Sequence, residues 1–276
     1  MSNSANRRRC RFLWAGPLLA VVLSACQGTE SFVLIHGATM GGWVWDEVAS
    51  YLTLGGSQVQ VVDLPAHGDD MSPVEAATMD AYVARIASVV DASPAPVHLV
   101  GHSLGGLVIS QYAELAPEKL ESLIYLAGFM PQNGQSVLGL IAQDPGSQLG
   151  PYIILNEDGT AALPREQLGP LFCGDCTEFQ LAPLLARYRD EPLLPLLTPV
   201  HLTPERFGSV PKRAIFTARD VTISYEFQLR MASALVLECS RTLQASHTPQ
   251  LSRPEEVAVA LGMLSHCTHG GRPPVR

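Results

Sequence analysis

Three short stretches, within SFVLIH (31–36), APVHLVGH (95–102) and LESLIYLAG (120–128), are almost continuously apolar. A strand with one wet face alternates apolar and polar residues. An unbroken apolar strand needs both faces covered, as in a parallel sheet sandwiched by helices. The rest of the chain keeps that rhythm. After the first run come a glycine turn (GATMGG) and a helical pattern from about Trp43 to Leu54, then the strand SQVQVVDL (57–64) and the loop PAHGDDMSP. Helical patterns follow from about Met79 to Asp91 and over Leu104–Ala116. Later come a strand KRAIFTA (212–218), a helix near Tyr225–Leu235, a strand near Ser240–Ala245 and a helix Pro254–Ser265. Strands alternating with helices predict an α/β fold: a mostly parallel sheet with helices on both faces.

The stretch 131–211 breaks this rhythm. It holds eleven of the 21 prolines, is rich in leucine and shows no strong strand. It reads as a helical cap inserted between strands, placed to lie over the carboxyl ends of the sheet, where open α/β sheets bind ligands. The predicted organisation is a leader (1–26), a core in two pieces (27–130 and 210–266), a cap (131–209) and a polar tail (267–276).

The leader has the features of an export signal. RRRCR (7–11) is basic, and FLWAGPLLAVVLSA (12–25) is apolar but too short to span a bilayer. The segment ends in LSAC (23–26), which resembles a bacterial lipobox and predicts lipidation of Cys26 at the cell envelope. A start assigned too far upstream would leave a cytoplasmic protein instead. Removing the leader takes four arginines, leaving 14 basic residues against 26 acidic ones and a net charge of −12. Outside the first eleven residues there is no cluster of Lys or Arg, so nucleic acid is not an expected partner. Four cysteines remain beyond Cys26. The pair in CGDC (173–176) lacks the second ligand pair that zinc needs, and it does not open a helix after a strand as a redox site would. It reads as two small buried side chains or one structural disulfide.

VHLVGHSLGG (97–106) puts Ser103 between a strand and a helix, with Gly101 and Gly105 two residues either side. About one chain in ten of this composition would hold some G-x-S-x-G by chance, so the spacing needs partners. A serine hydroxyl becomes a nucleophile when a base takes its proton. In the strand–turn–helix elbow the partners follow in the order serine, acid, histidine. Of the eight histidines, His201, His247, His266 and His269 follow Ser103. His247, in the loop ASHTPQL between the last strand and the last helix, sits at a strand's carboxyl end. Asp220 directly follows KRAIFTAR at another, while the other common acid position, after LIYLAG, carries no carboxylate. Ser103, Asp220 and His247 are therefore the candidate triad. The backbone N–H groups of Ala38 and Leu104 are the candidate oxyanion donors. His36 and His67 precede the elbow and read as loop-shaping residues, and His102 as a packing residue.

With FVLIHGATMGGWVW, VVDLPAHG, LVGHSLGG, TARDVTISYEFQ and ASHTPQLSRPEEVA in this order, the chain from Ser31 to Ser265 resembles the α/β-hydrolase superfamily. Within it the chain is similar to the branch of plant methyl esterases and hydroxynitrile lyases and their bacterial relatives. The resemblance implies an α/β-hydrolase fold, a small helical cap, a cofactor-free serine esterase and the triad above. The partner is then a small-molecule ester, and the oligomeric state stays open. A lyase on the same site, or a hydrolase-like protein that binds a ligand with little turnover, are the alternatives. The lyases carry a threonine directly after the first-loop histidine and a lysine directly after the catalytic one. Gly37 and Thr248 stand in those places.

Overall fold

The computed structural model describes residues 30–93 and 96–267. The leader, Cys26 and His269 lie outside the described residues. Six strands form one parallel sheet: β1 (Ser31–Ile35), β2 (Gln58–Val62), β3 (Val97–His102), β4 (Leu120–Leu126), β8 (Lys212–Thr217) and β9 (Leu237–Leu243), in the spatial order β2-β1-β3-β4-β8-β9. The chain winds outward in both directions from β1 and β3, and the crevice between their carboxyl ends is the switch point at which such sheets bind ligands.

Alternation along β1 divides the interior in two. Val33 and Ile35 join a core with α2 (Met79–Val90), α3 (Leu104–Leu115) and α8 (Tyr225–Ser233), through Tyr82, Ile86, Leu107, Val108 and Phe227. Phe32 and Leu34 face the other side, against α1 (Asp46–Leu54) and α10 (Pro254–Ser265), through Val48, Leu52, Val257 and Leu261, joined by Trp45 of the turn before α1. Every residue of β1 and β3 is buried, as their sequences require. Each such aliphatic side chain contributes about 1.5–3 kcal/mol of burial free energy.

Two expectations change. The last strand lies at Leu237–Leu243 rather than near Ser240–Ala245. As the sheet's edge it is mostly half-buried, and LECSRTL has no apolar run to mark it. The cap is not wholly helical. Besides α4 (Val137–Ile141), α5 (Arg165–Phe172), α6 (Glu178–Arg187) and α7 (Leu193–Leu197), it holds a three-stranded antiparallel sheet of β5 (Ile154–Leu155), β6 (Thr160–Ala162) and β7 (Glu191–Pro192). Strands of two or three residues are too short for an alternating pattern to be read. A short helix, α9 (Pro249–Ser252), precedes α10. Cys173 is disulfide-bonded to Cys176, and Cys239 to Cys267. The second bond ties the edge strand to the segment after α10.

Candidate active site

Ser103 directly follows β3 and caps α3 with φ 52° and ψ −119°. That conformation is costly for a residue with a side chain, and it persists only where surrounding bonds hold it. Here the Ser103 carbonyl accepts from the N–H groups of Gly106 and Phe129, both at 3.0 Å, and the Ser103 N–H donates to the Leu126 carbonyl at 3.3 Å. The turn also needs bare backbone, because a Cβ on Gly101 would lie 2.5 Å from the Gly105 carbonyl oxygen. Sequence and geometry thus agree on why the elbow is glycine-flanked.

Asp220 follows β8 and is fully enclosed. Its Oδ1 accepts from the N–H groups of Thr222 (2.8 Å) and Ile223 (2.9 Å). Its Oδ2 accepts from Thr217 Oγ1 (2.9 Å), Gln228 Nε2 (3.1 Å) and His247 Nδ1 (2.8 Å). Five donors fix the carboxylate, so the imidazole it holds is fixed in turn. The His247 and Asp220 side chains are 1% and 0% exposed. His247 Nε2 is buried without a hydrogen-bond partner among the described residues, and shares none with Ser103. Such a bond commonly tightens when substrate binds.

His102 does more than pack. Its Nε2 donates to the His247 carbonyl at 2.9 Å, and the two rings stand 4.9 Å apart. The residue before the elbow serine therefore holds the histidine loop against it. Burial foremost, then the neighbouring His247, keeps the His102 pKa well below the ordinary histidine value, so the ring is neutral.

The loop after β1 closes over Ser103. A side chain at Gly37 would begin 2.9 Å from Ser103 Cβ and 2.8 Å from His102 Nδ1. Ala38 and Leu104 both line the cavity beside Ser103. Leu104 is the first residue of α3, where the N–H has no carbonyl of its own helix to bond. The cavity lies between the core and the cap. Its walls are largely apolar cap residues, among them Val137, Leu138 and Ile141 of α4, Leu163, Phe172 of α5 and Leu196 of α7. His201 and His266 are exposed and do not line it.

The His36 and His67 rings lie tilted against each other with centroids 5.0 Å apart, but they differ in their bonding. His36 Nδ1 donates to the Gly37 carbonyl (2.8 Å) and Nε2 accepts the Leu64 N–H (3.1 Å), which requires a neutral ring. Burial, with His67 alongside, pushes its pKa down to about 3. His67 faces two acceptors, the Pro65 carbonyl (3.0 Å) and Glu191 Oε2 (2.8 Å), which a doubly protonated ring satisfies. Burial opposes that charge, but the Glu191 carboxylate outweighs it and the His67 pKa is raised. Glu191 comes from β7 of the cap. No local sequence signal marks it, since its partners are 124 and 152 residues away.

Residues 32–260 match the model of the alpha/beta hydrolase family. Methylesterase 9 of Arabidopsis thaliana is 30% identical over 249 residues, covering 83% of this chain and 95% of the relative. Putative methylesterase 11, chloroplastic, of the same plant is 30% identical over 82% of this chain, which spans only 62% of that relative's length. Among solved structures, a pyrethroid hydrolase from Sphingobium faniae JZ-2 superposes with a TM-score of 0.77 at 26% identity, over 86% of this chain and 98% of the other.

Proposed function

Because the chain belongs to the alpha/beta hydrolase family, in its methylesterase-like branch, we propose that it is a serine carboxylesterase for small to medium hydrophobic alkyl or aryl esters. One observation carries the reading. A strained serine lines an apolar cavity, and the residue before it is bonded to the carbonyl of a histidine that is anchored by a buried carboxylate and has a free Nε2. The relatives' names, methylesterase and pyrethroid hydrolase, support ester cleavage.

In this reading Ser103 Oγ attacks the ester carbonyl while His247 Nε2 takes the hydroxyl proton. The Ala38 and Leu104 N–H groups hold the oxyanion. The tetrahedral intermediate collapses, the C–O bond to the alcohol breaks, and His247 returns the proton to the departing oxygen. Water then attacks the acyl-enzyme, giving its proton to His247, and the acid leaves as Ser103 recovers its hydrogen. Asp220 keeps Nδ1 protonated and stabilises the transient imidazolium. The lyase alternative finds little support: a threonine at position 37 would collide with His102 and Ser103, and Thr248 cannot supply the lysine's positive charge.

A fluorophosphonate probe should label the wild-type protein and fail on Ser103→Ala, which should also lose turnover of p-nitrophenyl esters by on the order of 10⁴-fold or more. Equal labelling of both proteins rejects the assignment. We also propose export and lipid anchoring through Cys26, on the strength of the basic and apolar pattern over 7–26. Cys26→Ala should release the protein from the membrane fraction, and unchanged partition rejects the anchor.

A further inference from the structure

The cavity lining is mostly apolar, and besides Ser103 and Thr222 it holds two polar residues. Glu191 and Thr39 both line it. Glu191 Oε2 accepts from the Thr39 N–H at 2.6 Å and from His67 Nε2 at 2.8 Å. The Thr39 carbonyl in turn accepts from the Arg189 N–H at 3.2 Å, so the cap clasps Thr39 from both sides. Thr39 needs that grip, because φ is 63°, a region that β-branched residues avoid. Two polar atoms are left over. Glu191 Oε1 and Thr39 Oγ1 are buried and have no hydrogen-bond partner among the described residues. The Glu191 side chain is only 3% exposed.

A buried carboxylate oxygen without a donor is costly, so an apolar substrate group placed against it is penalised. The two orphan atoms ask for different things. Oε1 can only accept, whereas the Thr39 hydroxyl can donate. A ligand hydroxyl matches both needs, since it can give its hydrogen to Oε1 and accept one from Thr39. An N–H group could serve Oε1 but would leave the Thr39 hydrogen unused. A cation is disfavoured, because the Glu191 charge is already met by the His67 imidazolium, with the Arg189 guanidinium close enough to be felt there.

We propose that Glu191 and Thr39 form a polar subsite that selects esters carrying a free hydroxyl group. This rests on the serine-esterase reading, and makes Glu191 and Thr39 specificity-determining residues rather than participants in acyl transfer. A water occupying the wall in the free protein does not alter the preference, since a hydroxyl replaces its bonds and a methyl group does not.

The test uses isosteric pairs: methyl phenylacetates and benzyl acetates bearing either a hydroxyl or a methyl group at the ortho, meta or para position. In the wild type, kcat/KM for the hydroxyl ester should exceed that for its methyl partner by tenfold or more at one position at least. Glu191→Leu should reduce that ratio to one or below. Thr39→Val, which keeps the shape and the β-branch, should reduce it several-fold, and carries the test alone if Glu191→Leu does not fold. Because each ratio is taken within one protein, a general loss of activity cancels. Ratios within twofold at every position in the wild type, or a ratio unmoved in the folded variants, overturn the subsite while Ser103-dependent turnover leaves the esterase reading standing. Absence of Ser103-dependent turnover of every ester overturns both.

Discussion

Among the described residues, two histidine–carboxylate pairs have both side chains fully buried, and they are wired in opposite senses. In His247–Asp220, at the carboxyl end of the core sheet, the acid is saturated by five donors and the histidine keeps a free Nε2. In His67–Glu191, where the cap meets the core, both nitrogens of the histidine are engaged and the acid keeps a free Oε1. Both pairs close at 2.8 Å and are buried to the same degree. Distance and burial therefore do not distinguish them. What each can do follows from which partner has an atom left over. A free imidazole nitrogen beside a serine can carry a proton, and a free carboxylate oxygen in an apolar wall can only receive a hydrogen bond.

The sharpest way to break this contrast is to make the same change in both acids. Asp220→Asn keeps the shape but turns one oxygen into a donor. The amide then either clashes with the protonated Nδ1 or forces the wrong tautomer, and kcat should fall on the order of 10³–10⁴-fold. Glu191→Gln should cost on the order of tenfold or less on the same unsubstituted ester, because no proton passes through it. Steady-state kinetics on methyl phenylacetate with the two variants measures the difference. Losses of similar size would mean that Glu191 acts on the reaction through the first loop, and the division of labour would fail.

The two pairs were not equally visible in the sequence. Ser103, Asp220 and His247 each follow an apolar or β-rich run directly, so a local pattern places them at strand ends. The hydrogen bonds of Asp220 are mostly local too, to Thr217, Thr222, Ile223 and Gln228. Glu191 is different. Its strand has two residues and includes a proline, and its partners Thr39 and His67 lie on loops from the far end of the chain. His67 could be read as shaping its own loop, and it does bond the Pro65 carbonyl, but nothing near it in sequence announces a carboxylate. The edge strand β9 was legible as a strand and not in its bounds, because half-buried positions carry a weak pattern. The core's layout was legible for the opposite reason: full burial on both faces leaves no choice of residue type.

The neighbouring pair His36 and His67 turns the contrast into a pH experiment with two limbs. His36 is neutral when folded, with a pKa of about 3 against 6.5 unfolded. The unfolded chain thus binds the extra proton first, and stability falls as pH drops below about 6.5, by roughly 1.4 kcal/mol per unit well below that value. His67 has the opposite sign. Its folded pKa is raised, so its contribution is complete below about 6.5 and is lost as pH rises through the folded value. Four groups face it: Glu191 favours its charge, Arg189 opposes it, the neutral His36 ring lies 5.0 Å away, and the Tyr82 hydroxyl sits 3.5 Å from Nδ1. Burial works against the attraction of Glu191 and reduces the size of this limb. Urea unfolding from pH 4 to 9 should show both. His36→Asn should flatten the acid limb, narrowing its gap to wild type as pH falls. His67→Gln should flatten the alkaline limb, its gap being full below about pH 6.5 and closing as pH rises through the folded value. Parallel curves for His67→Gln and wild type would mean that His67 is neutral in the fold. The charge balance around Glu191 would then have to be redrawn, with a bare carboxylate in the cavity wall and a cationic ester as the better-matched substrate.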